Sequence, residues 1–208
     1  GAGLTCGTWQ AAHVAVAGQV DVAELEALLS AFRQDITMHR YASWSELLDY
    51  CRRSANPVGR LVLRIAGYDD PALGRSSDAL CTALQLTNFW QDLDRDWRRG
   101  RLYLPLEYVE ACQARTGDLD DRQLTAPWRR ALAHAAGLTR EMFSEGRQVC
   151  DGVSGRLRYE LRLTWLGGLR ILDKLERVDY NVFALRPTLG PVDMTVLMGR
   201  ALWWRSRS

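Results

Sequence analysis

Four polar side chains recur along one stretch of otherwise apolar helix. Gln85, Asn88, Asp92 and Asp96 are spaced 3, 4 and 4 residues apart, which stacks them on a single face at the helical period. Leu84, Thr87, Phe89 and Trp90 surround them with apolar bulk, so this helix is expected to be buried on most sides. A carboxylate taken out of water needs a compensating cation. Arg95, Arg98 and Arg99 stand nearby in sequence, and one reading is a solvated polar stripe paired with them. The other is chemical: two carboxylates one turn apart, preceded by two amides, are hard oxygen ligands of the kind Mg²⁺ uses when it bridges to phosphate.

The rest of the chain is built around helices of the same kind. Gly and Pro divide it into helical segments, and strand-like alternation is scarce. Residues 21–38 carry Val22, Leu25, Leu28, Leu29, Phe32 and Ile36 at helical spacing behind an Asp21 N-cap. Residues 43–66 open on the capping box Ser43/Glu46 and should kink near Ser54, ahead of Pro57. A third helix is expected over 76–98, stopped by Gly100, and a short piece starts at Pro105. The polar run 116–121 reads as a loop. Long helices follow over about 125–149 and 154–178, and Pro187 and Pro191 bracket a turn into a last helix. The expected fold class is all-α, with residues 1–20 as an irregular segment and 21–208 as one domain of packed helices.

Composition narrows the classes further. The 27 basic and 25 acidic side chains leave a net charge of +2, and the arginines alternate with acids, so no nucleic-acid partner is expected. Lys174 is the only lysine; the arginine excess suits bidentate grip on phosphate and equally suits an arginine-biased proteome. Cys6, Cys51, Cys81, Cys112 and Cys150 form no CxxC pair, so reduced thiols and a cytoplasmic protein are expected. No stretch is long and apolar enough to span a bilayer. His13, His39 and His134 are scattered and carry no motif.

A second segment adds chemistry. It runs from Arg40-Tyr41 through Trp44 to Tyr50-Cys-Arg-Arg53-Ser54-Ala55-Asn56-Pro57-Val58-Gly59-Arg60. Tyr50, Ser54 and Val58 would share a face. The small residues Ala55 and Gly59 leave room for a ligand or for a close helix crossing. Downstream of the acidic stripe, Gly100-Arg101-Leu-Tyr103-Leu-Pro105 places an arginine and a tyrosine in a turn.

Taken together, these motifs resemble the squalene and phytoene synthase family, within it the hydroxysqualene synthase branch. The likeness extends from Phe32-Arg-Gln-Asp35 through Leu161–Glu176 to the Arg186-Pro-Thr-Leu-Gly tail. The resemblance implies an isoprenoid synthase-type helical bundle with a central cavity. It implies that Asp92 and Asp96 bind Mg²⁺ and diphosphate, with Gln85, Asn88, Arg101 and Tyr41 contacting substrate. Tyr50, Arg53 and Tyr103 would act on the reacting centre or its departing diphosphate. The implied substrate is a prenyl diphosphate, and the implied reaction is conversion of presqualene diphosphate to hydroxysqualene. Head-to-head coupling of farnesyl diphosphate is the alternative activity. Phe89, Trp90 and Trp165 would line the pocket or serve as core.

One departure accompanies the likeness. The family carries a first aspartate-rich motif on an earlier helix, and here no acidic residue precedes Asp21. Glu24 and Glu26 have the wrong spacing, and Asp69-Asp70 falls in a turn. The chain is therefore expected to be N-terminally truncated, either a fragment of an enzyme or an inactive relative that binds isoprenoids or a partner enzyme. Apolar faces left without their partners would favour a homo-oligomer or marginal stability. The apolar, arginine-edged stretch 196–207 either packs as a last helix or rests peripherally on a membrane surface.

Overall fold

The computed structural model describes residues 21–205; residues 1–20, expected to be irregular, and 206–208 lie outside the described part. Helices account for all the regular elements among these residues, apart from one isolated parallel bridge between Arg40 and Leu102. The all-α expectation holds.

Helix α1 (Val22–Thr37) starts where Asp21 Oδ1 accepts the Ala23 amide at 3.0 Å. Helices α2 (Trp44–Ser54) and α3 (Asn56–Ile65) are the two halves of the expected kinked helix, separated at Ala55. Pro57 cannot donate into the preceding turn. The break changes one expectation: Tyr50 is buried, Ser54 is half-buried and Val58 is exposed, so the three do not share a face. Gly59 sits in a close crossing, where an added Cβ would lie 2.4 Å from Ser77 Oγ and 2.6 Å from Cys81 Sγ. That space holds a neighbouring helix.

The central element is α4 (Pro71–Gln91). It packs against α2, α3, α8 (Ala126–Glu145) and α10 (Gly155–Arg177). It begins earlier than its expected start at residue 76, because Asp70 Oδ1 caps Ala72 N at 2.8 Å and Pro71 suits the first helical position. Its buried side includes Leu80, Ala83, Leu86 and Trp90, and Trp90 Nε1 donates to Thr139 Oγ1 on α8 at 2.9 Å. Arg60 ties three helices together, with Asp78 of α4 at 2.9 and 2.6 Å and Glu24 of α1 at 3.1 Å.

Helix α4 does not continue to residue 98. It stops at Gln91 and resumes after Asp92 as α5 (Leu93–Trp97). A short helix, α6, spans Leu106–Ala111. The run expected to be a loop instead forms one turn of helix, α7 (Thr116–Asp120). Leu119 is buried there, and Thr125 Oγ1 donates to Asp118 at 2.9 Å; a single apolar anchor outweighs the polar composition. Helix α8 runs through a 3₁₀ turn into α9 (Val149–Gly152). The last helix, α11 (Pro191–Leu202), is pinned to α10 through Asp193. The Lys174 ammonium and Arg170 hold the Asp193 carboxyl below the usual carboxylate range, with the Gly190 amide as a further donor.

Cys51, Cys81, Cys112 and Cys150 are free thiols. Burial pushes Cys51 and Cys150 up to about 12, which keeps them protonated and inert. No described helix is long and apolar enough to cross a membrane.

Candidate functional site

The acidic pair sits at the hinge between α4 and α5. Asp92 leaves helical geometry (φ −102°, ψ 11°), yet the Asp96 amide still reaches the Asp92 carbonyl at 2.9 Å. The two carboxylates therefore stay one turn apart across the break. Arg186 explains where Asp92 points: its Nε lies 2.5 Å from Oδ1 and its Nη2 3.1 Å from Oδ2. The Gln91 amide donates to Pro187 O at 2.5 Å and fixes the turn that presents Arg186.

Asp96 has no ion-pair partner among the described residues. Burial, with a smaller contribution from the Asp92 charge, raises its pKa to about 6. The site thus holds one carboxylate in a direct ion pair and one on which Arg99, Arg101 and Arg95 act only at longer range.

Beyond Asp96 the chain turns sharply. Gly100 adopts φ +77°, a conformation glycine takes without steric cost, and the Arg101 amide returns to Asp96 O at 2.9 Å. The following segment lies along residues 39–42: Leu102 N reaches His39 O at 2.8 Å and Leu106 N reaches Tyr41 O at 2.9 Å. This pairing carries Tyr103 into an aromatic cluster. Its ring stacks on Phe89 at 3.7 Å between centroids. Tyr41 lies 5.8 Å and Tyr50 6.2 Å from the Tyr103 ring, and 5.4 Å from each other. All four rings are buried.

Burial raises the phenol pKa values of Tyr41, Tyr50 and Tyr103, and the Asp35 carboxylate of α1 raises each further. The three hydroxyls stay protonated at any ordinary pH. The Tyr41 hydroxyl is buried with no hydrogen bond of good geometry among the described residues, the Gln34 side chain being a polar neighbour that acts on it, and an under-satisfied buried hydroxyl is costly. Arg101 hydrogen-bonds the Asp35 carbonyl at 3.1 Å.

The site residues expected from sequence are distributed unequally. Asp92, Asp96, Arg101 and Tyr103 are joined by the turn at Gly100, and Tyr41 and Tyr50 by the ring cluster. Gln85 is half-buried; Asn88 is exposed and lines a groove of about 340 Å³ against Gly167, Gly168 and Leu189. The Arg53 guanidinium is engaged by Gln34, by Ser30 Oγ at 3.1 Å and by Asp49 at 3.0 Å, bracing α1 against α2. Trp165 belongs to the core, its indole N–H donating to Phe143 O at 2.7 Å. Asp35, Gln91 and Arg186 carry site geometry that sequence spacing does not reveal. Asp35 and Arg186 lie within motifs of the family likeness, but nothing in their spacing links them to Asp92 or Tyr50.

Among the described residues no group of three or more His, Cys, Asp or Glu converges as a metal site. Asp92 and Asp96 supply two oxygen-bearing groups, which suits an ion whose remaining ligands are substrate phosphate and water.

Comparison with known proteins identifies the family. The family model described as squalene/phytoene synthase matches residues 8–193. A hydroxysqualene synthase from Zymomonas mobilis is 44% identical over 116 residues, covering 55% of this chain and 39% of the relative. A hydroxysqualene synthase from Rhodopseudomonas palustris is 33% identical over 171 residues, covering 81% and 58% respectively. The crystal structure of squalene synthase HpnC from Alicyclobacillus acidocaldarius superposes with a TM-score of 0.78 at 40% identity, covering 85% of this chain and 68% of that one. The chain spans between 39% and 58% of the length of these two curated relatives. With the match extending over most of its residues, the chain belongs to the squalene/phytoene synthase family.

Proposed function

We propose that the site binds a prenyl diphosphate and acts in hydroxysqualene synthase-like chemistry, converting presqualene diphosphate to hydroxysqualene. The observation that carries this reading is the placement of an unpaired carboxylate, Asp96, one turn from Asp92 and joined by the Gly100 turn to a buried cluster of three tyrosines and Phe89. Asp92 and Asp96 would hold Mg²⁺ against the diphosphate. The ion would supply charge neutralisation of the leaving group.

The chain's own groups account for the rest. Arg101 adds positive charge beside the acidic pair and stabilises charge that grows on the departing oxygens. The ring faces of Tyr50, Tyr103 and Phe89 present negative quadrupoles to a carbocation. Because the phenols stay protonated, they offer O–H dipoles and do not act as nucleophilic phenolates. The buried Tyr41 hydroxyl gains a partner when a polar ligand enters. Burial of the cluster limits stray water, and a water held at a phenol would be the one that captures the cation.

A second reading is favoured by the Arg186–Asp92 pair, which already neutralises half of the acidic pair. On this reading the chain binds prenyl diphosphates without turning them over. The outward face of α11 suits contact with a membrane surface on either reading: Val192 and Trp203 are 77% and 82% exposed, and Arg200 and Arg205 flank the end.

The test is Mg²⁺-dependent binding and product analysis with presqualene diphosphate, then with farnesyl diphosphate. Hydroxysqualene with pyrophosphate release is expected, and Asp92→Asn with Asp96→Asn should abolish Mg²⁺-dependent binding. Binding without product supports the second reading, and coupled product from farnesyl diphosphate supports the head-to-head activity. Binding that survives the double substitution sinks the metal assignment.

A further inference from the structure

Two successive carbonyls of the segment between α10 and α11 are gripped from different helices. Pro187 O accepts the Gln91 side-chain amide of α4 at 2.5 Å, and Thr188 O accepts the Lys174 ammonium of α10 at 2.7 Å. The residue just before them is Arg186, whose guanidinium lies on Asp92. Among the described residues, 186–189 form no backbone–backbone hydrogen bond. With no regular structure of its own, this segment takes its position from the side chains that tie it down.

Lys174 holds more than one carbonyl. Its ammonium also pairs with Asp193, the buried acid in the first turn of α11. Asp193 in turn accepts Arg170 Nε at 2.8 Å and the Gly190 amide at 2.8 Å. Lysine occurs only at this position of the chain. A compact ammonium with three donors can serve a carbonyl and a carboxylate together, whereas a guanidinium keeps its donors in one plane. Holding Arg186 on Asp92 costs side-chain and backbone freedom. Gln91 meets that cost from α4, and Lys174 meets it from α10.

We propose that Lys174 is a positioning residue of the acidic site. By holding Thr188 and Asp193 it keeps Arg186 on Asp92, and so sets how readily Asp92 and Asp96 take up a divalent cation. The cation dependence rests on the metal-binding reading of the acidic pair; the hold on Arg186 does not.

Two measurements on the folded chain separate these parts. In urea unfolding, Lys174→Met should lower the folding equilibrium constant about tenfold in the wild type and only about threefold in the Arg186→Gln chain, which has no ion pair left to lose. Equal losses in the two backgrounds would overturn the proposal. By calorimetry, Mg²⁺ alone should bind Lys174→Met several-fold more tightly than the wild type. Adding Lys174→Met to Arg186→Gln should then bring no further gain. A purely structural lysine would lower the affinity or leave it unchanged; that result, with Arg186→Gln still binding more tightly, overturns the cation control. Unchanged affinity in both single variants would instead sink the metal reading of Asp92, and the coupling in urea would still decide the hold on Arg186. If Lys174→Met loses far-UV helicity, Lys174→Gln should show the same two effects at smaller size, and their absence there overturns the proposal.

Discussion

Arg186 and Asp92, 94 residues apart in sequence, face each other as a two-point ion pair, with contacts of 2.5 and 3.1 Å. The planar guanidinium matches the carboxylate fork. It occupies the oxygens that a divalent ion at this position would need, so the pair is a resident competitor for such an ion. Asp96 makes no such ion pair among the described residues and feels Arg99, Arg101 and Arg95 only at longer range.

Arg186→Gln removes that competitor. Mg²⁺ alone, titrated calorimetrically into the folded chain, should bind several-fold more tightly. Loss of a partly buried pair should cost about 1 kcal/mol of stability. Unchanged Mg²⁺ affinity would mean that Asp92 is not where the ion sits.

Asp96 sets a pH dependence of known sign. Its pKa rises from 3.8 unfolded to about 6 folded, so the folded state binds the extra proton. The resulting stabilisation is complete below about pH 4 and is lost as pH rises through 6. Asp96→Asn should therefore raise the melting temperature at neutral pH, by roughly 1 kcal/mol in stability after allowance for solvent screening. It should also flatten the stability profile between pH 4 and 6. Thermal melts of both proteins across that range decide the point, and a steeper profile in the variant would refute it.

Gly59 is confined by the α3–α4 crossing. Gly59→Val places branched carbons where Ser77 Oγ and Cys81 Sγ already stand within 2.6 Å. A loss of about 2–3 kcal/mol is expected from overpacking, read as a lower urea midpoint. A midpoint within error of the wild type would show that the crossing can spread.

The exposed end of α11 predicts a lipid-dependent signal. Trp203 fluorescence should shift to the blue on addition of vesicles containing anionic lipid. Trp203→Ala with Val196→Ala should reduce vesicle co-sedimentation several-fold. Equal co-sedimentation would remove the membrane-contact reading and leave the diphosphate site untouched.

Local rules account for much of what the sequence revealed. The helical period and the caps at Asp21 and Ser43 act within a few residues, so they could be read directly and fixed the all-α class. The break near Pro57 is likewise local. The spacing of Asp92 and Asp96 placed both on one turn, and the hydrogen bond from Asp96 N to Asp92 O preserves that relation across the hinge. The tertiary structure decided what surrounds them. The stop at Gln91 accompanies the pull of Arg186 on Asp92 and of Pro187 on Gln91. Tyr103 meets Phe89, Tyr41 and Tyr50 only because residues 102–106 lie along residues 39–41. Asp35 enters the site from α1 through the same packing. Ion pairs and ring contacts between distant segments depend on where helices cross, and that is set by the burial of many side chains at once. Periodicity therefore determined which residues share a face within an unbroken helix, though not across the break at Ala55, whereas the crossings chose which of those faces meet.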